Sequence, residues 1–82
     1  MKVIVKSDKE MKGYWGMNRP AGKELHFKPL PKENEIFISD KLSGHYKRRV
    51  IAHEKIEKHW MDNGEKYKEA HHRADKMDKK VF

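Results

Sequence analysis

The sequence predicts an α+β fold in one domain spanning residues 1–82: a small, mostly antiparallel N-terminal sheet of three or four strands, followed by two C-terminal helices. Three observations carry this expectation. Short runs of β-branched and aromatic residues, bounded by turn residues, fill residues 1–39. An apolar periodicity of about 3.6 residues takes over at Leu42 and continues through residues 43–79. Its one interruption, Asp62-Asn63-Gly64, is a helix-ending triplet, so the periodic part folds as a helical hairpin. With 82 residues, 35% hydrophobic and 40% charged, the core must be thin. A bound ion or an oligomer interface would help to stabilise it.

The elements follow in chain order. Val3-Ile4-Val5 between lysines reads as a first strand. Tyr14 to Asn18 reads as a second, ending at a Pro20-Ala21-Gly22 turn. The glycines flanking Tyr14-Trp15 imply a bend where the backbone approaches a neighbour closely. We read the two aromatics as core residues, with a substrate platform as the alternative. Glu24-Leu25-His26-Phe27 alternates as a half-buried strand does, with Leu25 and Phe27 inward and His26 on the surface. Glu35-Ile36-Phe37-Ile38-Ser39 is the clearest strand in the chain, dense in β-formers. The connections look too short for helical crossovers, hence the antiparallel expectation. Ser43 is the best N-cap for a helix from about His45 to Met61, and a second helix runs from about Glu65 to Lys79. In that second helix Tyr67, Ala70, Ala74, Met77 and Val81 form an apolar stripe, with His71 at its border and His72 on the opposite side.

Composition narrows the chemistry. Cysteine is absent, which excludes disulfides, thiolate metal sites and a cysteine nucleophile. Any metal ligands are therefore His, Asp or Glu, donors that suit zinc, iron, manganese or nickel. Threonine and glutamine are absent too, while Lys and Glu are abundant, a bias that resembles proteins of hot-growing, thermophilic organisms. No apolar run approaches a membrane span or a secretory h-region, so the chain reads as cytoplasmic, with no membrane partner. The net charge of +7 raises a second reading: a basic module for nucleic acid or protein interaction, without catalysis. Against it, the lysines are interleaved with acids, and Lys47-Arg48-Arg49 is the only tight cationic group.

The stretch from Val50 to Trp60 carries the sharper hypothesis. At 100° per residue, with His53 as the origin, Ile56 and Trp60 fall at about −60° and −20°, and Glu57 falls at about +40°. A carboxylate thus sits on the apolar face beside a histidine one turn away. Buried without a partner it costs several kcal/mol, a need that a bound metal meets. Glu54, at about +100°, borders the same face, where a base acting on a metal-bound water belongs. Glu57 lies about 10 Å before the Asp62-Asn63-Gly64 turn and His71 about 10 Å beyond it, so the two meet at similar height. His53, Glu57 and His71 are the expected ligands. Three protein ligands with an open fourth position is the pattern of catalytic zinc.

The strand Glu35–Ser39, the loop with Leu42-Ser43, and the helix carrying Arg48-Arg49-Val50-Ile51-Ala52-His53-Glu54 resemble the active-site region of zincin metallopeptidases. In particular they are similar to the minimal gluzincins and their uncharacterised archaeal and bacterial relatives. The resemblance covers roughly Glu35 to Asp75. It implies a zinc-dependent hydrolase in which His53 is the first ligand, Glu54 the general base, and His71, by order, the third ligand. It also implies a peptide substrate paired along the edge of the Glu35–Ser39 strand. The chain departs from the family's His-Glu-x-x-His helix at the second ligand, where Glu57 stands in place of histidine.

Overall fold

The computed structural model describes the backbone of residues 1–81 and the side chains of residues 1–77. Among the described residues seven elements follow one another: β1 (Lys2–Lys6), α1 (Asp8–Met11), β2 (Gly16–Asn18), α2 (Arg19–Leu25), β3 (Glu35–Ser39), α3 (Gly44–Asp62) and α4 (Tyr67–Val81). The fold is α+β, with the sheet in the N-terminal half and a long helical hairpin after it. Two features of the sheet differ from expectation. It is mixed, because β1 runs parallel to β3 and only β2 is antiparallel to it. Its strand order is β1-β3-β2, so residues 7–34 form a long crossover between the parallel strands, and the premise of short connections fails.

That crossover holds two short helices where turns and a strand were expected. Ser7 and Glu10 form a reciprocal capping box that nucleates α1. Asn18 caps α2, with Pro20 in its first turn, a position where proline's missing N–H costs nothing. Residues Glu24 and Leu25 are consequently helical rather than extended, and His26 terminates α2 in the left-handed region. His26 is exposed and Phe27 buried, as expected. Gly22 is needed inside α2 for packing: a Cβ there would stand 2.7 Å from Leu30 Cδ2.

The central strand β3 is buried on both faces, with Ile36, Phe37 and Ile38 all nearly inaccessible. Met11, Met17, Ala21, Phe27, Phe37, Met61 and Ala70 make the core cluster, contributed by every layer. α3 packs against α4, α2, β2 and β3. It starts after Ser43, whose side chain makes no capping bond, and ends at Asn63 with Gly64 at φ +103°. α4 begins two residues later than expected. Its first turn is held by Glu24 Oε2, which accepts the Tyr67 N–H at 2.7 Å. Ala70 and Ala74 are fully buried on the expected stripe, Met77 is exposed, and the side chain of Val81 lies outside the described residues. No helix among the described residues is long and apolar enough to cross a membrane.

Candidate metal centre

The periodicity that turns Glu57 inward on α3 places it among the least accessible side chains of the protein, 1% exposed, with His53 at 7% and Glu54 at 5%. The turn at residues 62–64 folds α4 back so that His71 meets this face. Three donor atoms then close a triangle: His53 Nε2 to Glu57 Oε2 at 3.1 Å, His71 Nδ1 to Glu57 Oε2 at 2.8 Å, and His53 Nε2 to His71 Nδ1 at 3.1 Å. An imidazole nitrogen has one in-plane position, filled by either a proton or a lone pair. No placement of protons therefore gives a linear hydrogen bond on all three edges. A cation above the triangle satisfies all three lone pairs at once. In tetrahedral zinc, bonds of 2.0–2.2 Å put ligand atoms about 3.3 Å apart, close to these edges. The described residues thus contain a His/Glu/Asp cluster able to hold a metal ion, with ligand atoms of His53, Glu54 and Glu57, and of His53, His71 and Asp75, within 4.8 Å of one another.

Two residues outside the expected set brace this centre. Asn18, wholly buried, donates from Nδ2 to Glu54 Oε1 and to Glu57 Oε1, both at 3.0 Å. Its Oδ1 accepts the Ala21 N–H at 2.9 Å. One amide therefore caps α2 and fixes both carboxylates. Asp75 faces the outer nitrogens of both rings, with Oδ1 3.5 Å from His53 Nδ1 and Oδ2 3.6 Å from His71 Nε2. Those contacts are longer than a direct hydrogen bond, so Asp75 acts through its charge. It favours protons on the outer nitrogens and leaves the inner lone pairs facing Glu57.

The centre opens into a cavity of about 500 Å³ whose walls include Tyr14, Trp15, Gly16, Tyr46, Arg49 and Tyr67. β2 approaches α3 so closely here that a Cβ on Gly16 would stand 2.8 Å from both Glu54 Cγ and Val50 Cγ1. This is the close approach that the paired glycines implied. Gly13 serves the turn instead, at φ +85° with open space around it. Tyr14 and Trp15 are 38% and 48% exposed, so the core reading of these aromatics is corrected: they stand at the cavity. Tyr67 stacks on the His71 ring at 5.2 Å. Burial, then the negative charges of Glu57 and Glu54, push its phenol up to about 12, so it remains a hydrogen-bond donor at neutral pH.

The structure brings His53, Glu57 and His71 to one point and sets Glu54 beside them, on the Asn18 amide. His72 is exposed, as expected. Lys47-Arg48-Arg49 does not form one patch: Arg48 is exposed, whereas Arg49 lines the cavity. The Glu35–Ser39 strand has no available edge, since β1 and β2 occupy both sides of it. Peptide pairing there is therefore corrected. Asp75 was legible, standing four residues after His71 just as Glu57 stands four after His53. Asn18 carried no comparable signal, because its partners lie 36 and 39 positions away. Comparison with protein-family models, curated proteins and solved structures returns no match to this chain.

Proposed function

We propose that the protein holds a zinc ion through His53 Nε2, Glu57 Oε2 and His71 Nδ1 and is a metal-dependent hydrolase of amide bonds in peptide-like substrates. The observation that carries this reading is the buried triangle of two imidazole nitrogens and one carboxylate oxygen, which hydrogen bonding alone leaves one edge short. When bound, zinc supplies a Lewis acid that lowers the pKa of water towards 7 and polarises a carbonyl. Glu54 takes the proton released as water attacks and returns it to the leaving amine. The Asn18 amide on Glu54 Oε1 holds that carboxylate in place through the exchange. The Tyr67 phenol, kept protonated in the cavity wall, would donate to an oxygen that gains negative charge.

The outer edge of β2 replaces β3 as the place where an extended chain would lie. Trp15 accepts from the Ser39 N–H, and Gly16 and Met17 stand opposite Ile38 and Phe37. Gly16 therefore occupies a non-hydrogen-bonded position, its N–H and C=O turned away from β3 beside the cavity.

Elemental analysis of protein purified without a histidine tag tests the metal. We expect one zinc per chain in the wild type, none in His53→Ala, and an unchanged content in Glu54→Gln, which loses any hydrolysis. Wild-type levels of zinc in His53→Ala would remove this reading. Asp75→Asn should weaken zinc affinity by about 10–100-fold, the effect of losing an outer carboxylate behind ligating histidines. Competition with a chromophoric chelator measures it, and an unaltered affinity shows that Asp75 does not orient the rings.

A further inference from the structure

Among the described residues, Arg49 is the only lysine or arginine in the wall of the cavity. It is half-buried, and no ion-pair partner for it occurs among the described residues. The acids of the same wall are engaged elsewhere: Glu54 and Glu57 on Asn18, Asp75 behind the histidines. A planar guanidinium beside a cavity, without a carboxylate of its own, is built to receive one.

Its position along α3 sets the geometry of the ligand. Tyr46, Arg49, His53 and Glu57 follow one another at spacings of three or four and all line the cavity. Arg49 lies one turn before His53, about 6 Å along the helix axis. The apolar side is supplied by Tyr14, Trp15 and Tyr46, which are 38%, 48% and 59% exposed and line the same space. Order along the helix is therefore aromatic wall, cation, metal ligands. A phosphate dianion at Arg49 would face Glu54, Glu57 and Asp75 with twice the charge of a carboxylate, so the single guanidinium suits a monoanion.

We propose that the substrate is an amide bearing a carboxylate and an aromatic or bulky apolar side chain, its carboxylate held by Arg49 one helix turn from the metal while Tyr14, Trp15 and Tyr46 enclose the side chain. This rests on the zinc reading for the placement of the amide, but the carboxylate cradle is a property of Arg49 itself. Arg49 is a substrate-positioning residue and takes no part in holding the ion.

Calorimetric titration of the zinc-loaded protein with 2-benzylsuccinate, which has two carboxylates, and 3-phenylpropanoate, which has one, tests the assignment. One carboxylate of each meets the metal; the second of 2-benzylsuccinate reaches Arg49. A charge-assisted pair of this kind corresponds to about 10–100-fold in affinity, and the wild type should prefer 2-benzylsuccinate by that factor. Arg49→Gln should bring the two Kd values to within about threefold of each other while leaving that of 3-phenylpropanoate unchanged, and Arg49→Lys, a point charge without the fork, should fall between. A wild type that does not distinguish the two compounds, or an Arg49→Gln protein that keeps the wild-type preference, overturns the proposal. Zinc content is measured on the same samples and should be equal in wild type and Arg49→Gln. If the wild type carries no zinc, the metal reading falls, yet the cradle is still decided. The lone carboxylate of 3-phenylpropanoate then goes to Arg49, and its affinity must drop by about tenfold or more in Arg49→Gln.

Discussion

Saturating zinc is expected to raise the melting temperature by about 10–30 °C, and His53→Ala to abolish the rise. An ion that binds the folded chain alone, at 100 to 1,000 times its Kd, contributes about 2.7–4.1 kcal/mol, and each kcal/mol moves the midpoint of a domain this small by about 4–8 °C. The effect is large here because the core is thin and because Glu57, 1% exposed, sits at its heart. Without a cation, Glu57 Oε2 faces two ring nitrogens that stand only 3.1 Å from each other. Scanning calorimetry with added zinc and with chelator reads the difference. Coincident melting curves for the wild type under both conditions would count against a metal at this site. A rise of similar size in His53→Ala would place the ion elsewhere.

Asn18→Ala should destabilise the metal-free protein by about 4–7 kcal/mol, a large share of the roughly 5–15 kcal/mol that holds such domains folded. The sum has two parts. Loss of the N-cap on α2 costs about 1 kcal/mol. Loss of the Nδ2 bonds to Glu54 and Glu57 leaves two buried carboxylates each short of a donor, at about 1.5–3 kcal/mol apiece. Asn18→Asp separates the parts: it keeps the oxygen that caps Ala21 but sets a third carboxylate against the other two. It should therefore be more damaging than alanine at neutral pH. Urea denaturation in the presence of chelator decides the matter, and a loss near 1 kcal/mol in Asn18→Ala would reduce this residue to a helix cap.

The helical hairpin was legible because period and punctuation agree. Val50, Ile56 and Trp60 mark one face, Ser43 precedes the start, and Gly64 takes the left-handed turn that ends α3. Those local rules also turned Glu57 inward, and rise per residue set His71 at its height. The crossover departs from the local rules where a proline and a glycine stand two positions apart. Pro20 and Gly22 suggest a turn, yet Asn18-Arg19-Pro20 is a helix start, and Gly22 is small because Leu30 packs on it. The parallel pairing of β1 with β3 was hidden for another reason. Strand direction depends on which distant segment each strand meets, and neither Val3-Ile4-Val5 nor Ile36-Phe37-Ile38 encodes its partner. Asn18 shares that difficulty, as its role exists only once β2 has reached α3.

The spread of these contacts along the chain bears on the order in which they form. The donor atoms of His53, Glu57 and His71 belong to residues at most 18 positions apart, whereas Asn18 reaches its carboxylates across 36 and 39. Each doubling of a closed loop adds about 0.6 kcal/mol of chain entropy, and nearby segments meet sooner than remote ones. The C-terminal hairpin is thus the inexpensive half to organise, and His53, Glu57 and His71 are expected to meet early. The Asn18 amide, with the longer loops to close, is expected to join them last, as the sheet locks against the helices.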